Sequence, residues 1–189
     1  MKKILIAILI TVSLAPLVSI AQTDTLPVNK ETGLVDFTDV VTVDSASASK
    51  LYSNARIFVA SVFNSGKAVT ELTDEGTNTV IGNAKISVIM RKTLFFEKSP
   101  GGWFKFRLTI QCKEGKYKYS FTNFDHIGYP VEGFRSKDLG NIEKPKLGVM
   151  SISLKQWNDY KSQVNSIVQS MIDELKRYMT SHASQTKDW

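Results

Sequence analysis

The chain has 189 residues, with 24 Lys and Arg against 18 Asp and Glu, which gives a formal net charge of +6. Hydrophobic residues make up 42% of the chain and aromatic residues 10%, a composition that excludes a disordered polyampholyte and a collagen-like repeat. The length suits one globular domain, and a single cysteine excludes an internal disulfide.

The first 21 residues have the composition of a secretory signal peptide. Lys2 and Lys3 precede the apolar run 4–17, and Ser19 and Ala21 form the pair of small residues before a cleavage site. The apolar run is shorter than the roughly 20 residues of a membrane-spanning helix. We therefore expect cleavage after Ala21 rather than an uncleaved anchor, and an exported protein, either periplasmic or secreted.

Export would change the charge balance, because the mature chain would have 168 residues and a net charge of +4. Residues 22–90 carry a net charge of −3 and residues 91–189 one of +7. The only cysteine, Cys112, lies far from the cleavage site, so a lipoprotein is not expected. A basic protein outside the cytoplasm is expected to meet lipid head groups, surface polysaccharide or acidic proteins, and not nucleic acid.

In chain order, the next elements are a polar linker over 22–33, a strand over 34–44 and a helix of about 15 residues that ends at 64–66. Apolar and polar residues alternate along the strand, and Asp39 is the one polar residue on its apolar side. The helix begins after a Ser-rich segment that supplies N-caps, and its apolar residues recur every three or four positions.

Four strands are predicted next, over 68–73, 79–90, 103–111 and 116–124. Turns are expected at 74–78 and 113–115, a break at 99–102, and a bulge at Gly82. The apolar segment 94–96 is not assigned to a strand or a helix.

Residues 126–152 are rich in Gly and Pro without a period, which predicts a long loop that is functional or mobile. Ser153 and Gln156 then form a capping box before an apolar helical stripe of about 26 residues, and a frayed tail is expected over 181–189.

The element order is strand, helix, four strands, loop and helix. A sheet with one apolar face needs that face covered. We therefore expect one α+β domain over 34–180: a two-layer sandwich of β-α-β4-α order, with two helices on one face of an antiparallel sheet.

This pattern resembles a bacterial family of secreted proteins defined only as a domain of unknown function with a TBP-like fold. The resemblance rests on the strand 35–43, the Ser-rich cap before Leu51 and Tyr52, the hairpin 104–124 and Trp157 at the start of the last helix. It covers roughly 26–180. The chain departs from the family at Phe58, where a Trp is usual, and near Asn54, where a basic residue is usual. The resemblance implies the β-α-β4-α fold and assigns no site. That fold also resembles the helix-grip proteins that hold lipids and the DNA-bending protein after which it is named, so it does not fix function.

Catalytic candidates are few. Asp125 and His126 are adjacent on a strand and point to opposite faces, so they form no acid–base pair. Cys112 ends a strand and is expected to be a structural, buried thiol. Carboxylates at 36–44 and 74–78 lack metal-ligand spacing, and no phosphate-binding glycine motif occurs. We therefore expect no enzyme, no catalytic residues, no metal and no cofactor.

The sharpest signal is a set of basic residues that share one parity on neighbouring strands, opposite the apolar set. The functional interpretation is a surface that binds an anionic envelope component or a protein partner, with the Trp stacking on the ligand or dipping into an interface. The alternative is an ordinary solvated face whose lysines also discourage edge pairing. The candidate residues are Lys85, Arg91, Trp103, Lys105, Arg107, Lys116 and Lys118.

A second hypothesis is a small carrier that holds an apolar, lipid-like ligand between helix and sheet. Its candidate lining is aromatic and Met side chains of the last helix and of the hairpin. The alternative is a close-packed core, since large aromatic residues fill volume.

Overall fold

A computed structural model describes residues 26–63, 69–91, 97–131, 134–135, 137–144 and 152–183. The predicted signal peptide and the segments 64–66 and 94–96 lie outside these residues, as does most of the predicted tail. The secondary-structure elements in chain order are β1 (Phe37–Thr42), α1 (Ala48–Phe63), β2 (Val69–Asp74), β3 (Thr79–Met90), β4 (Ser99–Lys113), β5 (Lys116–Ile127), β6 (Pro130–Val131), β7 (Phe134–Arg135), β8 (Gly140–Asn141) and α2 (Leu154–Ser181).

The main sheet has the strand order β1-β5-β4-β3-β2, with every neighbouring pair antiparallel. The short strand β8 pairs with the end of β5, and β6 and β7 form a separate two-stranded hairpin. The prediction of an unstructured loop over 126–152 is therefore wrong in part, because this segment holds three short strands.

Both helices pack on one face of the sheet, which makes a two-layer α+β sandwich as predicted. Ser47 caps the N-terminus of α1, since its Oγ accepts a hydrogen bond from the Lys50 N–H at 3.2 Å. Ser153 caps α2 in the same way, accepting from the Gln156 N–H at 3.2 Å. The side chains that α2 buries recur every three or four residues, so one stripe of a long helix covers the sheet.

The predicted break at 99–102 is wrong, because β4 begins at Ser99 and pairs with β3 from that residue on. The pairing shifts between Val88 and Ile89 of β3, where β4 accommodates the extra residue Gly101. Gly102 has a φ of +101°, a conformation that L side chains rarely adopt. The glycines therefore bend the strand, and do not end it.

The predicted bulge at Gly82 lies on the neighbouring strand, between Thr70 and Leu72 of β2, opposite Gly82. A second bulge interrupts the β4–β5 pairing, where Arg107 pairs with Thr122 but Lys105 pairs with Asp125. The extra residue is on β5 and places Asn123 at a φ of 60°. As a result, the buried residues of β5 change parity, from Tyr117, Tyr119 and Phe121 to Phe124 and His126.

Within the described residues, no helix is long and apolar enough to cross a membrane.

Candidate functional site

The candidate site is the face of the main sheet on which neither helix packs. Along β3, β4 and β5, its side chains alternate with the buried ones that face the helices. The structure adds the exposed Lys113 to the predicted residues, because β4 runs straight to the turn at Glu114 and Gly115. We call the following set the basic sheet face: Lys85, Trp103, Lys105, Arg107, Lys113, Lys116 and Lys118.

The strand register brings cations of this face directly opposite one another. Lys85 of β3 pairs with Lys105 of β4, and Lys113 of β4 pairs with Lys116 of β5. Directly opposed residues of an antiparallel pair have Cβ atoms about 4.5–5.5 Å apart. Two groups of positive charge therefore lie on the face, one near the middle of β4 and one at the β4–β5 turn.

Little negative charge accompanies the five lysines. Within the described residues, no ion pair joins any of them to a carboxylate. Asp125, which the Asn123 bulge turns toward this face, lies opposite Lys105. Asp36 accepts a hydrogen bond from the Ser120 hydroxyl at 2.8 Å. The face therefore keeps a strong positive excess.

Arg91 does not belong to this face, and its prediction as a site residue is wrong in placement. It follows the last residue of β3, so the alternation of the strand no longer applies to it. Its Nε lies 2.5 Å from Asp159 Oδ1 on α2, on the covered side of the sheet. Gln163 of α2 holds this end of β3, with hydrogen bonds to the Ile89 N–H and carbonyl at 2.9 and 2.8 Å.

An aromatic pair lies at one end of the basic sheet face. The rings of Trp103 and Tyr129 are stacked, with centroids 5.2 Å apart and planes 30° from parallel. Both side chains are half-buried. Tyr129 was missed in the sequence because it belongs to the segment without a period. Only its aromatic character, just beyond the end of β5, could have suggested it.

At the other end of the face, a shallow depression of about 530 Å³ lies beside the β4–β5 turn. Three lysines of the face surround it, together with the aliphatic side chain of Val40 and the polar Gln111 and Thr77. The basic sheet face is therefore polar and basic at the turn and aromatic at the opposite end.

His126 and Cys112, for which the sequence predicts no catalytic role, lie in the core. His126 is 2% exposed, with Nε2 2.8 Å from the Gly101 carbonyl and Nδ1 accepting from the Leu139 N–H at 3.3 Å. Burial lowers the pKa of His126, so the neutral ring is favoured. Burial raises the pKa of the Cys112 thiol to about 12, which suppresses the nucleophilic thiolate. Among the described residues, no three His, Cys, Asp or Glu side chains could share a metal ion.

The aromatic residues proposed to line a lipid cavity pack against one another. Trp157 of α2 lies 5.5 Å from Phe104 and 6.4 Å from Tyr160 between ring centroids, and Phe106 lies 5.8 Å from Phe121. All five are at most 2% exposed. These side chains fill the space between helix and sheet.

Comparison with known proteins identifies the fold and assigns no site. Residues 37–126 match the model of a domain of unknown function, DUF4468, with TBP-like fold. A search of curated proteins finds no match. Among solved structures, a TBP-like protein from Parabacteroides distasonis has a TM-score of 0.61 at 10% identity, over 81% of this chain and 96% of that chain. A DUF4468 family protein from Bacteroides ovatus has a TM-score of 0.55 at 12% identity, over 84% of this chain and 94% of that chain. The sequence match over residues 37–126 and the shared architecture show that this chain has a TBP-like fold.

Proposed function

We propose that this protein is an exported, non-enzymatic binding module whose basic sheet face binds an anionic component of the cell envelope. The observation that supports this most is the direct opposition of Lys85 to Lys105 and of Lys113 to Lys116. Like charges directly opposite on neighbouring strands are destabilising. Asp125 lies opposite Lys105, but no ion pair joins either lysine pair to a carboxylate within the described residues. Such a surface is stabilised when an anion neutralises it.

The alternative, a solvated face protected against aggregation, explains the charge less well. Lysines protect a sheet by blocking its edges. The edges of the main sheet are β1 and β2, whereas the lysines lie on β3, β4 and β5. Strand β4, which carries Lys105, Arg107 and Lys113, is the central strand of the order. Protection of an edge therefore does not account for their positions.

The state of His126 and Cys112, the side chains that could act as a base or a nucleophile, also favours a binding role over an enzymatic one. Both nitrogens of His126 are engaged in the core, and the raised pKa of Cys112 keeps its thiol protonated. The packed aromatic interior likewise favours a surface ligand over an apolar cargo between helix and sheet.

The anionic character of the partner follows from the face, and its location from the N-terminal segment. If residues 1–21 are removed during export, the partner is an envelope component and not a nucleic acid in the cytoplasm. Mass spectrometry of the protein recovered from a native host would test this: Gln22 at the N-terminus supports export, and an intact Met1 or Lys2 contradicts it.

The binding proposal is tested on the full mature chain with inorganic polyphosphate, polygalacturonate and vesicles containing phosphatidylglycerol. Replacement of Lys85, Lys105, Lys116 and Lys118 by Gln should weaken binding to every probe that the wild type binds. Each probe should also bind more weakly as salt rises from about 20 mM to about 300 mM, because exposed charges are screened.

A matched control removes the same charge elsewhere. Lys30 lies in a turn before β1, and Lys155, Lys161 and Arg177 lie on α2, away from the open face. Their replacement by Gln should leave binding close to the wild type. The proposal fails if the wild type binds none of the three probes, or if both quadruple variants lose the same affinity.

A further inference from the structure

We propose that the ligand of the basic sheet face is an acidic polysaccharide, and that the Trp103–Tyr129 pair is the subsite for one of its sugar rings. This inference rests on the proposed function, because it names the class of ligand for the same face. Three observations carry it: the stacked pair, the hydrogen-bonding groups around it and the geometry of the charges along β4.

The stacked pair forms an apolar platform beside a row of charge. Its rings lie 5.2 Å apart with an interplanar angle of 30°, and each side chain is half-buried. The face of an aromatic ring carries a partial negative charge, so it attracts the polarised C–H bonds on the apolar face of a sugar ring. Because each ring supports the other, the platform needs little ordering when a ligand arrives.

The neighbours of the platform suit the polar edge of a sugar. Ser87 of β3 lies directly opposite Trp103, and Asp125 of β5 lies opposite Lys105, the next cation along β4. A hydroxyl and a carboxylate can exchange hydrogen bonds with sugar hydroxyls, while Lys105 and Lys85 attract an acidic substituent. Hydrogen-bonding groups and positive charges therefore lie beside Trp103 and at the next position of the same face.

The charges form a track that suits an extended chain. Along β4, Trp103, Lys105, Arg107 and Lys113 share one face, and the distance from Trp103 to Lys113 is about 33 Å at the usual rise per residue. Between the cations lie the half-buried Thr109 and the exposed Gln111. A linear polymer with an acid on repeated sugars would contact the platform and both groups of lysines.

A membrane surface suits the face less well. Among the described residues, two of the largely exposed hydrophobic side chains, Val40 and Ile89, share the parity of this face. They lie on β1 and β3, with β5 and β4 between them, so they form no continuous apolar patch. Trp103 is held against Tyr129, and does not stand out as a wedge that could enter a bilayer. The hydroxyl and amide side chains between the lysines offer hydrogen bonds that a head-group layer does not require.

The experiment uses the full mature chain, with Trp103→Leu and Trp103→Phe as variants. The four probes are polygalacturonate, inorganic polyphosphate, single-stranded oligo(dT) and vesicles containing phosphatidylglycerol. Loss of the ring in Trp103→Leu should weaken polygalacturonate binding by about tenfold, and Trp103→Phe should weaken it less, because a smaller ring remains. Polyphosphate has no ring to stack, so both variants should bind it like the wild type. Unchanged polyphosphate binding also shows that the variants are folded.

The outcomes separate this inference from the proposed function. If the wild type binds polyphosphate through its lysines but Trp103→Leu leaves polygalacturonate binding unchanged, the polysaccharide subsite is wrong and the anion-binding face stands. Tighter and more Trp103-dependent binding to oligo(dT) than to polygalacturonate would also overturn the inference, in favour of a nucleic acid. Binding to phosphatidylglycerol vesicles alone would overturn it in favour of a membrane.

Discussion

His126 and Tyr160 stack with nearly parallel, offset rings across the interface between β5 and α2, with ring centroids 5.8 Å apart and planes 9° from parallel. The hydrogen bonds of His126 fix its state, because Nδ1 accepts from the Leu139 N–H and Nε2 is therefore the nitrogen that donates to the Gly101 carbonyl. A second proton would face the Leu139 N–H in a site without solvent. The buried ring is thus a neutral structural element that joins β4, β5, the segment before β8 and α2.

The lowered pKa of His126 predicts that acid weakens the fold. Unfolded histidine has a pKa of 6.5, so below this pH the unfolded state binds a proton that the native ring resists. The free energy of unfolding should fall as pH drops from about 6.5 toward the native pKa, by at most about 1.4 kcal/mol per pH unit. Urea unfolding at about pH 7.5 and about pH 5.5 measures this.

The control for this effect is His126→Gln, which removes the titration while other acids and bases remain. Its free energy of unfolding should be lower at neutral pH but should change less between the two pH values. Equal losses in the wild type and the variant would assign the acid sensitivity to other groups.

Gly101 is predicted to be intolerant of any side chain. A Cβ at this position would lie closer than 3.0 Å to three atoms of Tyr160, whose ring is itself fixed by His126. Gly101→Ala should therefore lower the free energy of unfolding by about 1–3 kcal/mol, the usual cost of overpacking. Gly76→Ala in the exposed β2–β3 turn is the matched control, since its Cβ would approach only Asp74 Oδ1, at 3.3 Å. Similar losses in the two variants would show that the contact with Tyr160 is not the cause.

Cys112 is predicted to be unreactive while the protein is folded. Its side chain is 2% exposed, and with a pKa of about 12 only about one thiol in ten thousand is a thiolate at pH 8. A disulfide reagent such as DTNB should label no thiol in native protein on the scale of minutes and one thiol per chain in guanidinium chloride. Rapid labelling of the native protein would contradict the burial of this residue and reopen a chemical role for it.

The sequence predicts the fold and most of the basic sheet face because side chains point alternately to the two faces of the sheet wherever a strand is regular. Strand β3 has the predicted bounds, and the basic residues of β4 and of the first half of β5 face away from the helices as expected. The predictions weaken where a strand ends or gains a residue. Arg91 lies one residue past β3 and pairs with Asp159, which the parity of the strand could not reveal.

The remaining differences come from tertiary packing. The Asn123 bulge reverses parity within β5, so it buries His126 and turns Asp125 toward the face. No pattern in β5 alone predicts that reversal, because the bulge exists only in register with β4. Tyr129 and β8 come from a segment without a period, and their positions follow from contacts with Trp103 and β5.

The opposed lysines predict that binding and stability conflict at the basic sheet face. Lys85 faces Lys105 directly, and a Thr at position 85 would remove the repulsion and suit a strand better. Lys85→Thr should raise the free energy of unfolding by about 0.5 kcal/mol at low salt, and by less at high salt because the repulsion is screened. The same variant should bind polyphosphate more weakly.

Arg91→Gln is the control with the same loss of charge. It breaks the ion pair with Asp159, so it should lower the free energy of unfolding and leave polyphosphate binding unchanged. If Lys85→Thr lowers stability or leaves polyphosphate binding unchanged, the opposed pair is part of an ordinary solvated surface, and the anion-binding interpretation loses its main support.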